Sequence, residues 1–160
     1  MRGAGERRRA GRAASLILVW IDSRSATIVR GGTNGPVLEH VESDVPAHRK
    51  STGNVRVDPA IRHGGGGDVT NQVERHRLEH RRAFLVDVAS RIAPSDDVVV
   101  LGPGPVRRHL ATLLAEEPRR IAAGAAVVEA SAVRRSARQL VARYLELAGE
   151  PAPRIERTSA

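Results

Sequence analysis

One stretch constrains this chain more than any other: Val98-Val99-Val100-Leu101-Gly102-Pro103-Gly104-Pro105-Val106-Arg107-Arg108-His109-Leu110. Val98 to Leu101 is an apolar, β-branched run with the length of a buried strand. Gly102 and Gly104 permit backbone conformations that side chains resist. Pro105 suits a first helical turn, where a missing N–H costs nothing. A helix therefore begins just past the strand's carboxyl end, with Arg107, Arg108 and His109 in its first turns. Open α/β sheets bind ligands at that end, and helix N-termini attract anions. Gly102, Gly104, Arg107, Arg108 and His109 thus form a candidate anion site. A tight strand-to-helix turn needs such residues whatever its function, so an architectural role stands beside the anion reading. No Lys-Ser/Thr pair follows the glycines, which excludes a nucleotide P-loop.

The rest of the chain supplies partners for that unit. Leu16 to Ile21 reads as a buried strand, Asp22 to Ser25 as a turn with a local side-chain hydrogen bond, and Ala26 to Arg30 as the returning strand. After the turn Gly31–Gly35, Pro36 to Glu42 alternates weakly as a third, more exposed strand. The three form an antiparallel edge. From Ser43 to about Asn71 the pattern disappears, which predicts a long flexible loop (about 44–71) containing Gly64-Gly65-Gly66-Gly67. A helix is expected from near Gln72 to Ile92, charged in its first half and apolar in its second. Val106, Leu110, Leu113 and Leu114 mark the next helix, which Pro118-Arg119-Arg120 should end. Ala125 to Glu129 reads as a short strand. A last helix starts near Ser131, lined by Val133, Ala137, Leu140, Val141, Tyr144 and Leu145, and stops at Gly149 and Pro151. The expected fold is α/β: a three-layer α/β/α sandwich on a mixed sheet, with an N-terminal antiparallel meander and C-terminal βαβα units. Residues 16–148 form the single domain, between a disordered basic tail (1–15) and a C-terminal tail (149–160). The N-terminal tail reads as a nucleic-acid arm, a solvated terminus or a misassigned start.

Charge narrows the function. With 26 basic against 18 acidic residues, the formal net charge is +8. That points to polyanions, while the single lysine, Lys50, also fits a genomic bias toward arginine. Candidate RNA contacts are His48, Arg49, Lys50, Arg56, Arg62 and His63 in the loop, and Arg75, Arg77, Arg81 and Arg82 on the helix. Aromatic residues are only 2%, so stacking of single-stranded bases is disfavoured against backbone or shape contacts to structured RNA. The absence of cysteine excludes disulfides and thiol chemistry. His76 and His80 share a helix face, but Arg77-Leu78-Glu79 between them is not the His-Glu-x-x-His arrangement, and no metal or other cofactor is expected. No Gly-x-Ser-x-Gly nucleophile elbow is present. No apolar run reaches a membrane span and no secretory core precedes Leu16, so a cytoplasmic protein without membrane contact is expected.

Two motifs in order, Val19-Trp20-Ile21-Asp22-Ser23-Arg24-Ser25-Ala26 and Val99-Val100-Leu101-Gly102-Pro103-Gly104, with the His/Arg loop between them, carry a resemblance. The chain resembles small bacterial proteins related to the C-terminal domain (domain 3) of archaeal and eukaryotic peptide release factors and Pelota. The resemblance implies a sandwich like that of the kink-turn-binding ribosomal proteins, and a domain that contacts partner proteins and the ribosome without hydrolysing peptidyl-tRNA. Release chemistry there uses a Gly-Gly-Gln loop on another domain. Here Gly64-Gly65-Gly66-Gly67 is followed by Asp68. The expected function is therefore a non-catalytic binding protein of the translation machinery, acting on the ribosome or structured RNA in stress, rescue or dormancy. The alternatives are a hydrolase of an acylated or phosphate-containing RNA, and a protein-interaction module with incidental charge.

Overall fold

The computed structural model describes residues 15–44 and 66–149, with backbone alone for 66–70. Five strands form one mixed sheet: β1 (Leu16–Ile21), β2 (Ser25–Gly32), β3 (Gly35–Glu42), β4 (Asp97–Gly102) and β5 (Val127–Ser131), ordered β3-β2-β1-β4-β5. β1 pairs antiparallel with β2 and parallel with β4, β2 pairs antiparallel with β3, and β4 pairs parallel with β5.

Continuous apolar runs suit β1 and β4 because both their faces are covered. Ile17, Val19, Ile21, Val98 and Val100 pack with α1 (Gly66–Ser90) and α2 (Val106–Ala115). Leu18, Trp20 and Leu101 face the other way and pack with α4 (Ala137–Leu147). The result is the α/β/α arrangement, with a core on each side of the sheet. β3 alternates weakly because it is an edge strand, with Val37 and Leu38 exposed.

β2 and β4 run a residue or two past the sequence reading at their ends and α1 stops at Ser90 rather than Ile92, and four larger differences each have a local reason. α1 begins at Gly66, not near Gln72, so two of the four glycines open a helix. Glycine is costly inside a helix but tolerated at its start. Pro118 does not end a helix; it opens a separate one, α3 (Pro118–Ala123), with proline at its start and Gly124 as a left-handed cap at φ 66°. β5 runs two residues later than 125–129, because Val98 pairs with Val127. α4 starts at Ala137 rather than near Ser131. Ser131 is still paired with Gly102, and the N-cap is Ser136, in a reciprocal capping box with Gln139. Val133, expected on the helix face, lies in the connection and is 78% exposed.

Candidate functional site

The strand register sets Glu42 opposite Ser25, Ala26 opposite Ile21, and Gly102 opposite Ser131. These residues mark one edge of the sheet, the carboxyl edge of β1, β4 and β5. The candidate side chains in the described residues fall into place relative to it.

Gly102 is there for close approach. A Cβ on it would lie 1.9 Å from the carbonyl oxygen of Ile21. Gly104 turns the chain at φ 66° with open space around it. Arg107 does not project as a free anion ligand. It is 8% exposed, its Nε donates to Glu129 Oε2 at 2.7 Å, and its Nη1 donates to the carbonyls of Gly102 and Gly104 at 3.3 and 2.9 Å. It ties the turn to β5. Arg108 and His109 are exposed, with Arg108 only loosely paired to Glu129 at 3.8 Å.

α1 passes the same edge. His80, Ala83, Phe84 and Asp87 line a small cavity with Glu42 and Asp44 at the end of β3. At its other end Arg91 pairs with Glu39 and Asp87, and lines a cavity of about 370 Å³ with Ser15, Arg30 and Asp96 at the opposite, amino edge. The helix therefore runs from the carboxyl edge to the amino edge. Its docked residues are Phe84, Leu85 and Val88. Before Phe84 every described residue is exposed or half-buried. At 1.5 Å per residue, the segment from Gly66 to His80 is about 21 Å long. It carries Arg75 and Arg77, with Arg81 and Arg82 at its root. No ion pair among the described residues engages Arg75, Arg81 or Arg82.

The amino edge is built differently. Arg30 pairs with Glu39 at 2.8 Å, and Arg91 donates to Asp87 and Glu39. Those hydrogen bonds, Asp87 first and Glu39 second, raise the Arg91 pKa above its usual value. Arg30 and Arg91 there are matched by carboxylates, whereas the arginines of the carboxyl edge other than Arg107 are displayed.

Sequence reasoning missed part of that display. Arg134 and Arg135 lie in the β5–α4 connection and Arg138 in the first turn of α4, all exposed. Ala132 N–H donates to the Gly102 carbonyl at 3.2 Å and Trp20 Nε1 donates to the Val133 carbonyl at 3.2 Å, which brings this connection beside the Gly102 turn. Arg24, in the β1–β2 turn, is exposed at the same edge. Its backbone N–H and that of Ser25 both donate to Asp22 Oδ1 at 2.8 Å. The Arg134-Arg135 pair is visible in the sequence; its position is not, because the apolar pattern starts the helix near Ser131. His48, Arg49, Lys50, Arg56, Arg62 and His63 lie outside the described residues. Among the described residues no group of three or more His, Asp and Glu is placed to hold a metal, and no helix is long and apolar enough to cross a membrane.

Fold and site together define an α/β domain with a basic carboxyl edge. No family model and no curated protein matches the chain. Solved structures similar to it include the Pelota protein of Thermoplasma acidophilum (TM-score 0.43, 14% identity, 83% of this chain and 32% of that one). An archaeal translation termination factor is also similar (TM-score 0.45, 12% identity, 86% of this chain and 35% of that one). So is the Pelota of Archaeoglobus fulgidus (TM-score 0.41, 18% identity, 86% of this chain and 31% of that one). The chain spans about a third of the length of each.

Proposed function

We propose that this chain is a non-catalytic binding protein of the translation machinery, acting in the cytoplasm on the ribosome or structured RNA. The observation that carries this reading is the display of Arg75, Arg81, Arg82, Arg108, Arg134, Arg135 and Arg138 at one end of the domain, against the carboxylate-matched Arg30 and Arg91 at the other. Stability alone gives no reason for such sorting, since like charges held together repel. A polyanion binding there releases its counterions and gains affinity from each phosphate neutralised. The direction toward translation comes from the resemblance carried by Trp20-Ile21-Asp22 and Gly102-Pro103-Gly104. Arg75, Arg77, Arg81, Arg82, Arg108 and His109 are the contacts this function uses.

Co-sedimentation with purified ribosomes tests the reading. The protein should pellet with ribosomes at low salt and be released as salt rises. A protein that stays in the supernatant at low salt would overturn it. A peptidyl-tRNA turnover assay with the same preparation should give no product above background.

A further inference from the structure

We propose that Arg134, Arg135 and Arg138 form a rigid phosphate-binding surface for the backbone of duplex RNA, facing the projecting half of α1 across the carboxyl edge. The inference rests on the RNA-binding reading above and adds to it a site and a form of RNA.

The three arginines sit on a backbone fixed at several points. Ala132 N–H is held by the Gly102 carbonyl, and the Val133 carbonyl accepts from Trp20 Nε1. Ser136 is locked by mutual hydrogen bonds with Gln139, at 2.8 Å from its N–H and 3.3 Å to its Oγ. A surface held this way loses little backbone entropy on binding. No carboxylate among the described residues pairs with these guanidinium groups. They also lie where cations are unfavourable in the free protein: α4 has no acidic residue in its first turn, and its N-terminal end is already positive. A bound anion relieves that conflict.

Chemistry selects the form of the polyanion. The chain has one Trp, one Tyr and one Phe, and Trp20, Tyr144 and Phe84 are all buried. No Trp, Tyr or Phe is left exposed to stack unpaired bases, the platforms single-strand binders chiefly rely on. A double-stranded backbone needs only arginines at spaced positions, and its phosphates accept guanidinium groups bidentately. The edge is polarised as well. Glu42 and Asp44 stand at the β3 corner, while the three arginines follow β5 in the connection that crosses to β1 at Trp20 and in the first turn of α4.

Titration of labelled RNA measures this. A 20-base-pair RNA duplex should bind roughly five-fold or more tighter than either of its single strands. Replacing Arg134, Arg135 and Arg138 together by Ala should weaken duplex binding about ten-fold near 100 mM salt and lower the salt slope by about 2–3. The triple Lys variant should recover most of that slope. Trp20→Phe keeps every charge but frees the Val133 carbonyl, and should weaken duplex binding if rigid display matters. Circular dichroism and urea unfolding confirm that each variant is folded. The proposal is overturned if the triple Ala variant keeps the wild-type slope, or if single strands or a DNA duplex of the same sequence bind as tightly. Loss of ribosome co-sedimentation in the wild-type protein would sink the underlying reading. Ribosome binding that persists without duplex binding would sink this inference alone.

Discussion

Arg107 Nε donates to Glu129 Oε2 across 2.7 Å, joining the first turn of α2 to the outermost parallel strand. The same guanidinium holds two carbonyls of the Gly102–Gly104 turn. Removing it takes a donor from the Gly104 carbonyl, leaves the Gly102 carbonyl to Ala132 N–H, and strips a partner from Glu129. Arg107→Ala should therefore lower the free energy of unfolding by about 2–3 kcal/mol. Glu129 is more exposed, so Glu129→Gln should cost only about 1 kcal/mol. Urea unfolding of both variants checks the order; equal losses would mean that the turn carbonyls are satisfied without Arg107.

Gly102 and Gly104 differ by only two positions but should respond unequally to substitution. A Cβ at Gly102 meets the Ile21 carbonyl at 1.9 Å, so β1 and β4 cannot keep their spacing. Gly102→Ala should cost about 3 kcal/mol or more. At Gly104 the space is open and only the left-handed conformation opposes a side chain. Gly104→Ala should cost about 1–2 kcal/mol, and Gly104→Asn less. Thermal and urea denaturation separate the two, and similar losses at both sites would contradict the packing argument.

What the sequence made legible follows from where the physics is local. The runs Leu16 to Ile21 and Val98 to Leu101 are buried on both faces, so composition and length sufficed to place β1 and β4. The apolar pattern starts α4 too early because Val133 happens to fall in helical phase with Ala137 and Leu140. The deciding signal, Ser136 with Gln139 three residues on, was present and outranks that phase. Gly124 after Pro118 was likewise a readable helix frame for α3. Arg107 could not be read at all: its role depends on Glu129, which only strand pairing brings near. The carboxyl edge escaped for the same reason, since an arginine-rich chain gives no linear hint of which arginines share an end.

Arg120 is a second arginine whose role is structural. It is 1% exposed, and its guanidinium donates to the carbonyls of Ala93 and Asp96, closing the α1–β4 connection against α3. Arg120→Ala leaves both carbonyls without that donor and opens a cavity. The expected loss is about 3 kcal/mol. Arg120→Lys keeps one charge but not the fork, and should recover only part of it. Urea unfolding that shows Arg120→Ala within about 0.5 kcal/mol of wild type would assign the closure to other contacts.

Two exposed arginines separate a local surface from global charge. Arg108 stands at the start of α2 on the carboxyl edge, while Arg119 stands on α3 beside the Arg120 contacts at the amino edge. Arg108→Ala and Arg119→Ala change the net charge equally. At physiological salt, screening confines each charge to about 8 Å. If binding used only the overall positive field, both variants should weaken polyanion affinity alike. If phosphates sit at the carboxyl edge, Arg108→Ala should lower the salt slope by about 1 and Arg119→Ala should leave it unchanged. Ribosome or duplex-RNA titrations at stepped salt read the difference. Equal slopes in the two variants would remove the carboxyl edge from the binding surface, because the loose 3.8 Å pairing of Arg108 with Glu129 is the main other difference between these substitutions.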